Sequence, residues 1–525
     1  MIVGTRVPRA DLVAYAGIAL VFIWQLGLFQ GVNAPELVPT RLGYVEMLRT
    51  RLFDFVWFDG LKPPVTYFVH AALIHVFGGD AFLSGTSPFV AIAVLNAVGL
   101  VMLYRGARLL GANGYVAATA VTGLAVMLGQ LSFWRLGAHY DHLSFSLTAV
   151  LIWTMLHFVR VPGLAKAVIL GAAGALVVLH NTVFAAVVPV SLTLLWLGWR
   201  ASGSRGFLAA WAIAILMPFA AGLAVSAKTY AASGIFAPST LGGLANILVS
   251  LRTVDRQPEA LRATAVEIGL PDWWLWCYDN AIPIGPPDAS GLNAEIFRAT
   301  STAAGFCTSF APFEAEHWPL DLIALRAAME PFGDPEPIAA IDADIRLTTQ
   351  DRLQQMGFAP ELKLRWVELY TSKAAELHAA HRAANPGLYL LTYAQLAEAY
   401  AISEGPRFPA MVWATMGAYR DSLPGQAMIG LTWTMGTIMQ IVSPLLLLFA
   451  TWRLFVGLPI RLLRRSQIAG EGFRFAAQTA LGTALLVQLV LFSTQVGEEN
   501  ARYYVYALPY AVLLALTFAP WRERI

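Results

Sequence analysis

The chain has 525 residues, 57% of them hydrophobic and only 13% charged, with a formal net charge of +2. Soluble domains carry roughly 25% charged residues, so this composition excludes an ordinary water-soluble fold. The net charge says nothing about nucleic acid and no basic run resembles a nucleic-acid patch, while the mean hydropathy of +0.60 points to the bilayer as solvent.

A bilayer core about 30 Å thick takes roughly 20 apolar residues per helix. Runs of that kind with no internal Asp, Glu, Lys or Arg occur at 12–29, 143–159, 207–226, 427–450 and 503–519. They are continuous, whereas a transmembrane β-barrel shows short alternating strands. The first run is of spanning length and lacks a small-residue cleavage site, so it is expected to persist as a helix.

In chain order, spans are predicted at 11–30, 86–104, 114–132, 143–160, 166–182, 183–199, 207–226, 426–452, 474–494 and 503–519, ten in all. The weakest division falls at His180 and Asn181, where one long helix or a bent pair also fits. The apolar stretch 65–77, which holds His70 and His75, is too short to span and is expected to lie at the interface.

With a cytoplasmic start, Arg6, Arg9, Arg105, Arg108, Arg160, Lys166, Arg200, Arg205, Arg453, Arg461, Arg464, Arg465, Arg474, Arg522 and Arg524 all fall inside. That asymmetry satisfies the positive-inside rule. Letting 65–77 span would put the Arg105 and Arg108 loop outside, which the rule rejects. Both termini are then cytoplasmic, in a bacterial-type inner membrane.

Three parts follow: a transmembrane module over 1–226 whose first outer loop is 31–85, an outer insert over 227–425, and C-terminal helices over 426–525. The insert has helical periodicity over 338–384 and a Pro- and Gly-rich loop around 282–291, so a mostly helical periplasmic domain is expected. Cys277 and Cys307 both lie in it. In an oxidising compartment they suit a disulfide, with two buried thiols as the alternative.

The outer segments carry the chemistry. The first loop holds Glu36, Arg41, Asp59 and Lys62, the second His139, Asp141 and His142, and the last Glu499 and Arg502. Carboxylates and cations from distant loops at one membrane face suit transfer from a lipid-linked donor. A carboxylate takes the proton from an attacking hydroxyl, and fixed cations stabilise the departing phosphate.

Pro35-Glu36 followed by Arg41, and Lys62-Pro63-Pro64-Val65-Thr66-Tyr67-Phe68 further on, resembles the first loop of the GT-C superfamily of glycosyltransferases. The likeness is to its protein mannosyltransferase and aminoarabinose transferase branch. The stretch from His139 to Leu143 looks like that branch's second acidic motif, and Glu499-Asn500-Ala501-Arg502-Tyr503 with Pro509 looks like its late Arg-Tyr segment. The chain departs from the pattern in having Leu37 where a second acid is expected, and in the position of its large insert.

The resemblance implies an all-α GT-C fold and a polyprenyl-phosphate sugar donor, with an envelope acceptor that is glycan, lipid or protein. It implies catalytic roles for Glu36 and Asp141, with Arg502, Lys62, Lys228 and Arg41 at the donor phosphate. Asp59, His139, His142 and Glu499 are further site candidates. No organic cofactor is required; a divalent cation is compatible, but no metal-ligand set is present. Each residue also has a plainer reading: Glu36 or Asp141 as a helix cap, Arg502 as an interfacial arginine, Asp59 as part of an aromatic juxtamembrane anchor. Trp273, Trp274 and Trp276 read as an interface belt or core before they read as sugar platforms.

Two rival functions share the composition. A transporter or flippase of a lipid-linked substrate would show repeated halves and mid-span breaks, and a non-catalytic assembly protein would need none of the acids. No Gly-rich phosphate loop, nucleophile elbow or zinc signature appears in the sequence.

Overall fold

The fold is described from a computed structural model. It describes residues 8–30, 64–83, 86–128, 141–161, 163–180, 207–233, 382–403, 405–407, 422–463, 472–494 and 500–518, with short pieces at 45, 48–50, 52–53, 56, 188, 191–192, 236, 266 and 379–380.

Among the described residues the secondary structure is helical, with no strand. The N-terminal helices are α1 (Arg9–Gln30), α2 (Pro64–Phe77), α3 (Gly79–Leu83), α4 (Thr86–Leu109), α5 (Gly114–Leu128), α6 (Asp141–Arg160), α7 (Leu164–His180) and α8 (Phe207–Ser233). Then come α9 (Pro386–Glu398), a π turn (Ala399–Ser403) and a 3-10 turn (Gly405–Arg407). Helix α10 (Leu423–Trp452) runs through a second π turn (Arg453–Gly457) into α11 (Leu458–Leu463), followed by α12 (Gly472–Thr494) and α13 (Asn500–Leu516).

Six of these stretches are long and apolar enough to cross a membrane; α2, α5, α7 and the end of α13 are apolar but shorter. Leu20, Ile23, Leu216, Phe219, Ile441, Leu445 and Leu448 are exposed. Rows of bare aliphatic side chains on whole helices are not tolerated in water, and in lipid they cost nothing. The chain is a multi-pass, all-α membrane protein.

Local chemistry sets the helix limits. Pro64 opens α2, where its missing N–H is not needed. Gly78 and Gly111 follow α2 and α4 with φ of +89° and +86°, a left-handed turn that glycine adopts without strain. Ser422 caps α10 by accepting from the Gly425 N–H at 3.2 Å.

Small residues then bring the helices together, as lipid supplies no hydrophobic drive. A β-carbon on Gly99 would sit 3.2 Å from Ser146 Cα, and Ser146 Oγ donates to Asn96 Oδ1 at 2.7 Å. Gly106 faces Leu156. Helices α4 and α6 therefore run parallel. Gly17 faces Thr122, Gly114 faces Ala10, and Gln25 Nε2 donates to the Ala125 carbonyl at 3.1 Å, so α1 and α5 run parallel. The ends of α1 and α4 are clamped where α1 begins: Tyr104 Oη donates to buried Asp11 at 2.7 Å, and Arg105 Nε donates to Tyr15 Oη at 2.7 Å.

Gly171 faces Met217, Gly174 faces Pro218 and Gly222 faces Val178, which makes α7 and α8 parallel as well. The connection between two parallel helices has to bring the chain back. Its described residues lie along the way, with Val188 against Gly174 and the Leu192 carbonyl accepting from Trp211 Nε1 at 3.2 Å.

Two features differ from the sequence expectation. Helix α8 continues to Ser233, beyond the expected end at 226, because Val225, Ser226 and Thr229 are still buried. The described end of the 227–425 segment is lodged in the bundle: α9 and the two turns after it pack on α10, α12 and α13, with Tyr389, Tyr400 and Ala401 buried. Within that segment, 338–378, Cys277, Cys307 and the three tryptophans lie outside the described residues.

Candidate functional site

The helix directions decide which loops share a face. Helix α4 ends beside the start of α1, so its parallel partner α6 also ends there and begins at the opposite, far face. Leu156 of α6 and Leu513 of α13 both meet Gly106, close to the starting face. Helix α13 packs along α4, α5 and α6, so from Leu513 it too reaches back to the far face. At a rise of about 1.5 Å per residue, Asp141 stands roughly 22 Å above that level and Arg502 roughly 16 Å, about one helical turn apart in height.

Helix α7 runs the other way and ends at the far face with His180. Its ring holds two other segments. His180 is 1% exposed; its Nδ1 lies 3.3 Å from Thr66 Oγ1 on α2 and its Nε2 lies 3.0 Å from Ser144 Oγ on α6. A neutral imidazole donates through one nitrogen and accepts through the other, so both hydroxyls are served. Thr66 follows Lys62-Pro63-Pro64, and Ser144 follows Asp141. One buried histidine thus ties the start of α2 to the start of α6.

Lys228 reaches the same face from α8. Gly222 is level with Val178, near the end of α7, and Lys228 stands about 9 Å further along its helix. The first turns of α6 and α13 lie at this face, where the N-terminal end of a helix dipole contributes a positive partial charge.

Asp141 is the first residue of α6 and His142 the second, and Arg502 is the third residue of α13. The structure therefore brings the backbone positions of Asp141, Arg502 and Lys228 to one face. Glu36, Arg41, Asp59, Lys62, His139 and Glu499 lie outside the described residues. Among the described residues, no group of three or more His, Cys, Asp or Glu stands together as a metal site.

Sequence reasoning missed His180 as a site-building residue, and with it Thr66 and Ser144. The available signal was a hydroxyl residue placed just after each charged motif, at the first buried turn of an apolar helix. Further in, a cavity of about 20 Å³ is lined by Tyr400, Ser443, Leu447, Leu485, Leu489 and Tyr504, with the Ser443 and Tyr504 hydroxyls hydrogen-bonded to each other. That is room for about one water molecule, too small for a sugar or an isoprenoid.

Comparison with protein-family models and with curated proteins finds no match to this chain.

Proposed function

We propose that the chain is a glycosyltransferase of the GT-C kind, moving a sugar from a polyprenyl-phosphate donor to an envelope acceptor at the far, periplasmic face. The observation that carries this reading is the joining of the α2 and α6 starts through His180, on the face where α13 also begins. The backbone positions of Asp141 and Arg502, read from the sequence as acid and cation, lie at that face and support the reading.

In this scheme Glu36 takes the proton from an acceptor hydroxyl, which attacks the anomeric carbon. The carbon–oxygen bond to the phosphate breaks on the opposite side, and the sugar is delivered with inverted configuration. Arg502, with Lys62, Lys228 and Arg41, holds the phosphate as its negative charge grows. Asp141, at the first turn of α6, orients the acceptor. Asp59, His139, His142 and Glu499 complete the polar rim, and the insert shapes the acceptor side.

The test is reconstitution of the full chain in nanodiscs with a polyprenyl-phosphate sugar and an envelope extract as acceptor. Labelled sugar should move to the acceptor, and Glu36→Gln should lower the rate at least about 100-fold, the scale of a lost general base. Undiminished transfer by Glu36→Gln would remove that residue from the mechanism.

A further inference from the structure

The 3-10 turn Gly405–Arg407 is wedged between two helices by contacts that leave it no slack. A β-carbon on Gly405 would strike the Tyr400 carbonyl and come 2.9 Å from Tyr504 Cβ on α13. One on Gly436 of α10 would come 2.7 Å from the Pro406 carbonyl and 3.3 Å from Arg407 Cα. Gln440 Nε2 of α10 donates to the Ser403 carbonyl at 2.7 Å. The turn is thus fixed against α13 within two residues of Arg502.

It delivers a guanidinium to that place. The Arg407 head lies 5.5 Å from the centre of the Trp433 ring, and its Nε is buried without a hydrogen-bond partner. Among the described residues no carboxylate pairs with it. Stacking on an indole offsets part of the cost of drawing a guanidinium out of water, but a half-buried, always-charged group still calls for an anion. A phosphate suits the guanidinium fork, taking two parallel N–H donors.

We propose that Arg407 is a phosphate ligand, gripping the head of a polyprenyl phosphate from the 405–407 turn beside the first turns of α13. The ligand class rests on the donor assignment made under Proposed function. A phosphate in this position could come from the polyprenyl donor, from a bulk anionic lipid or from solution, and the three are separable.

The experiment measures binding of a polyprenyl monophosphate to the full chain in phosphatidylcholine nanodiscs, with inorganic phosphate as competitor and phosphatidylglycerol nanodiscs as a parallel arm. Wild type should bind the polyprenyl monophosphate, Arg407→Gln should weaken binding about tenfold or more, and Arg407→Lys should fall between them. The exposed-site variant Arg382→Gln should match wild type. If Arg407→Gln does not fold, the several-fold loss expected of Arg407→Lys carries the test.

Equal binding by wild type and the Arg407 variants overturns the role of Arg407 and leaves the donor assignment standing. Loss of affinity confined to phosphatidylglycerol, or to inorganic phosphate, overturns the polyprenyl assignment. No binding of any phosphate by wild type overturns both.

Discussion

Ser144 Oγ lies 3.0 Å from His180 Nε2, at the far ends of two antiparallel helices. The other ring nitrogen reaches Thr66 at 3.3 Å, so one side chain spans three segments of the chain. All three partners are almost fully shielded, which makes each bond costly to lose.

His180→Ala should leave both hydroxyls buried and unserved, a loss of about 1–3 kcal/mol for each group. Thermal unfolding in nanodiscs checks this, with His180→Gln expected to retain more stability because an amide still donates and accepts. A midpoint unchanged in His180→Ala would show that the ring does not hold these segments.

At the opposite face, Tyr104→Phe removes the hydroxyl that donates to Asp11 at 2.7 Å. The carboxylate then keeps only Arg105, at 3.7 Å, and stability should fall by about 1–3 kcal/mol. Sugar transfer measured below the unfolding temperature should be unchanged, since this clamp lies a membrane thickness from the proposed site. A selective loss of transfer would contradict that separation.

Gly436→Ala should dislodge the 405–407 turn, because the new methyl meets the Pro406 carbonyl at 2.7 Å. Overpacking of this kind costs about 1–3 kcal/mol. Gly430→Ala, on the same helix with nothing within 4 Å of the new carbon, serves as the control and should unfold like wild type. Equal midpoints for the two variants would mean the turn is not seated against α10.

The long helices were legible because a span has a length and a composition that the sequence displays directly. Helix α2 was legible for the same reason in reverse, being apolar but too short. The position of Pro386–Arg407 was not: only Gly405 meeting Tyr504, and Gly436 meeting Pro406, across space show that it enters the bundle. The His180 bridge was hidden for a related reason. Single hydroxyls on apolar helices carry no periodic signal, and their partner lies 114 and 36 positions away. Of the acids and cations singled out, only those at helix ends, Asp141, Lys228 and Arg502, acquire a position from the described helices.

The proposed chemistry requires the first outer loop and the start of α13 to share one rim. The direct measurement uses a Cys277→Ser, Cys307→Ser background carrying Glu36→Cys and Arg502→Cys, in sealed, oriented vesicles. A membrane-impermeant maleimide added on the periplasmic side should label both cysteines, and a short bismaleimide should bridge them within one chain. Labelling of the two cysteines from opposite sides of the membrane would contradict the account.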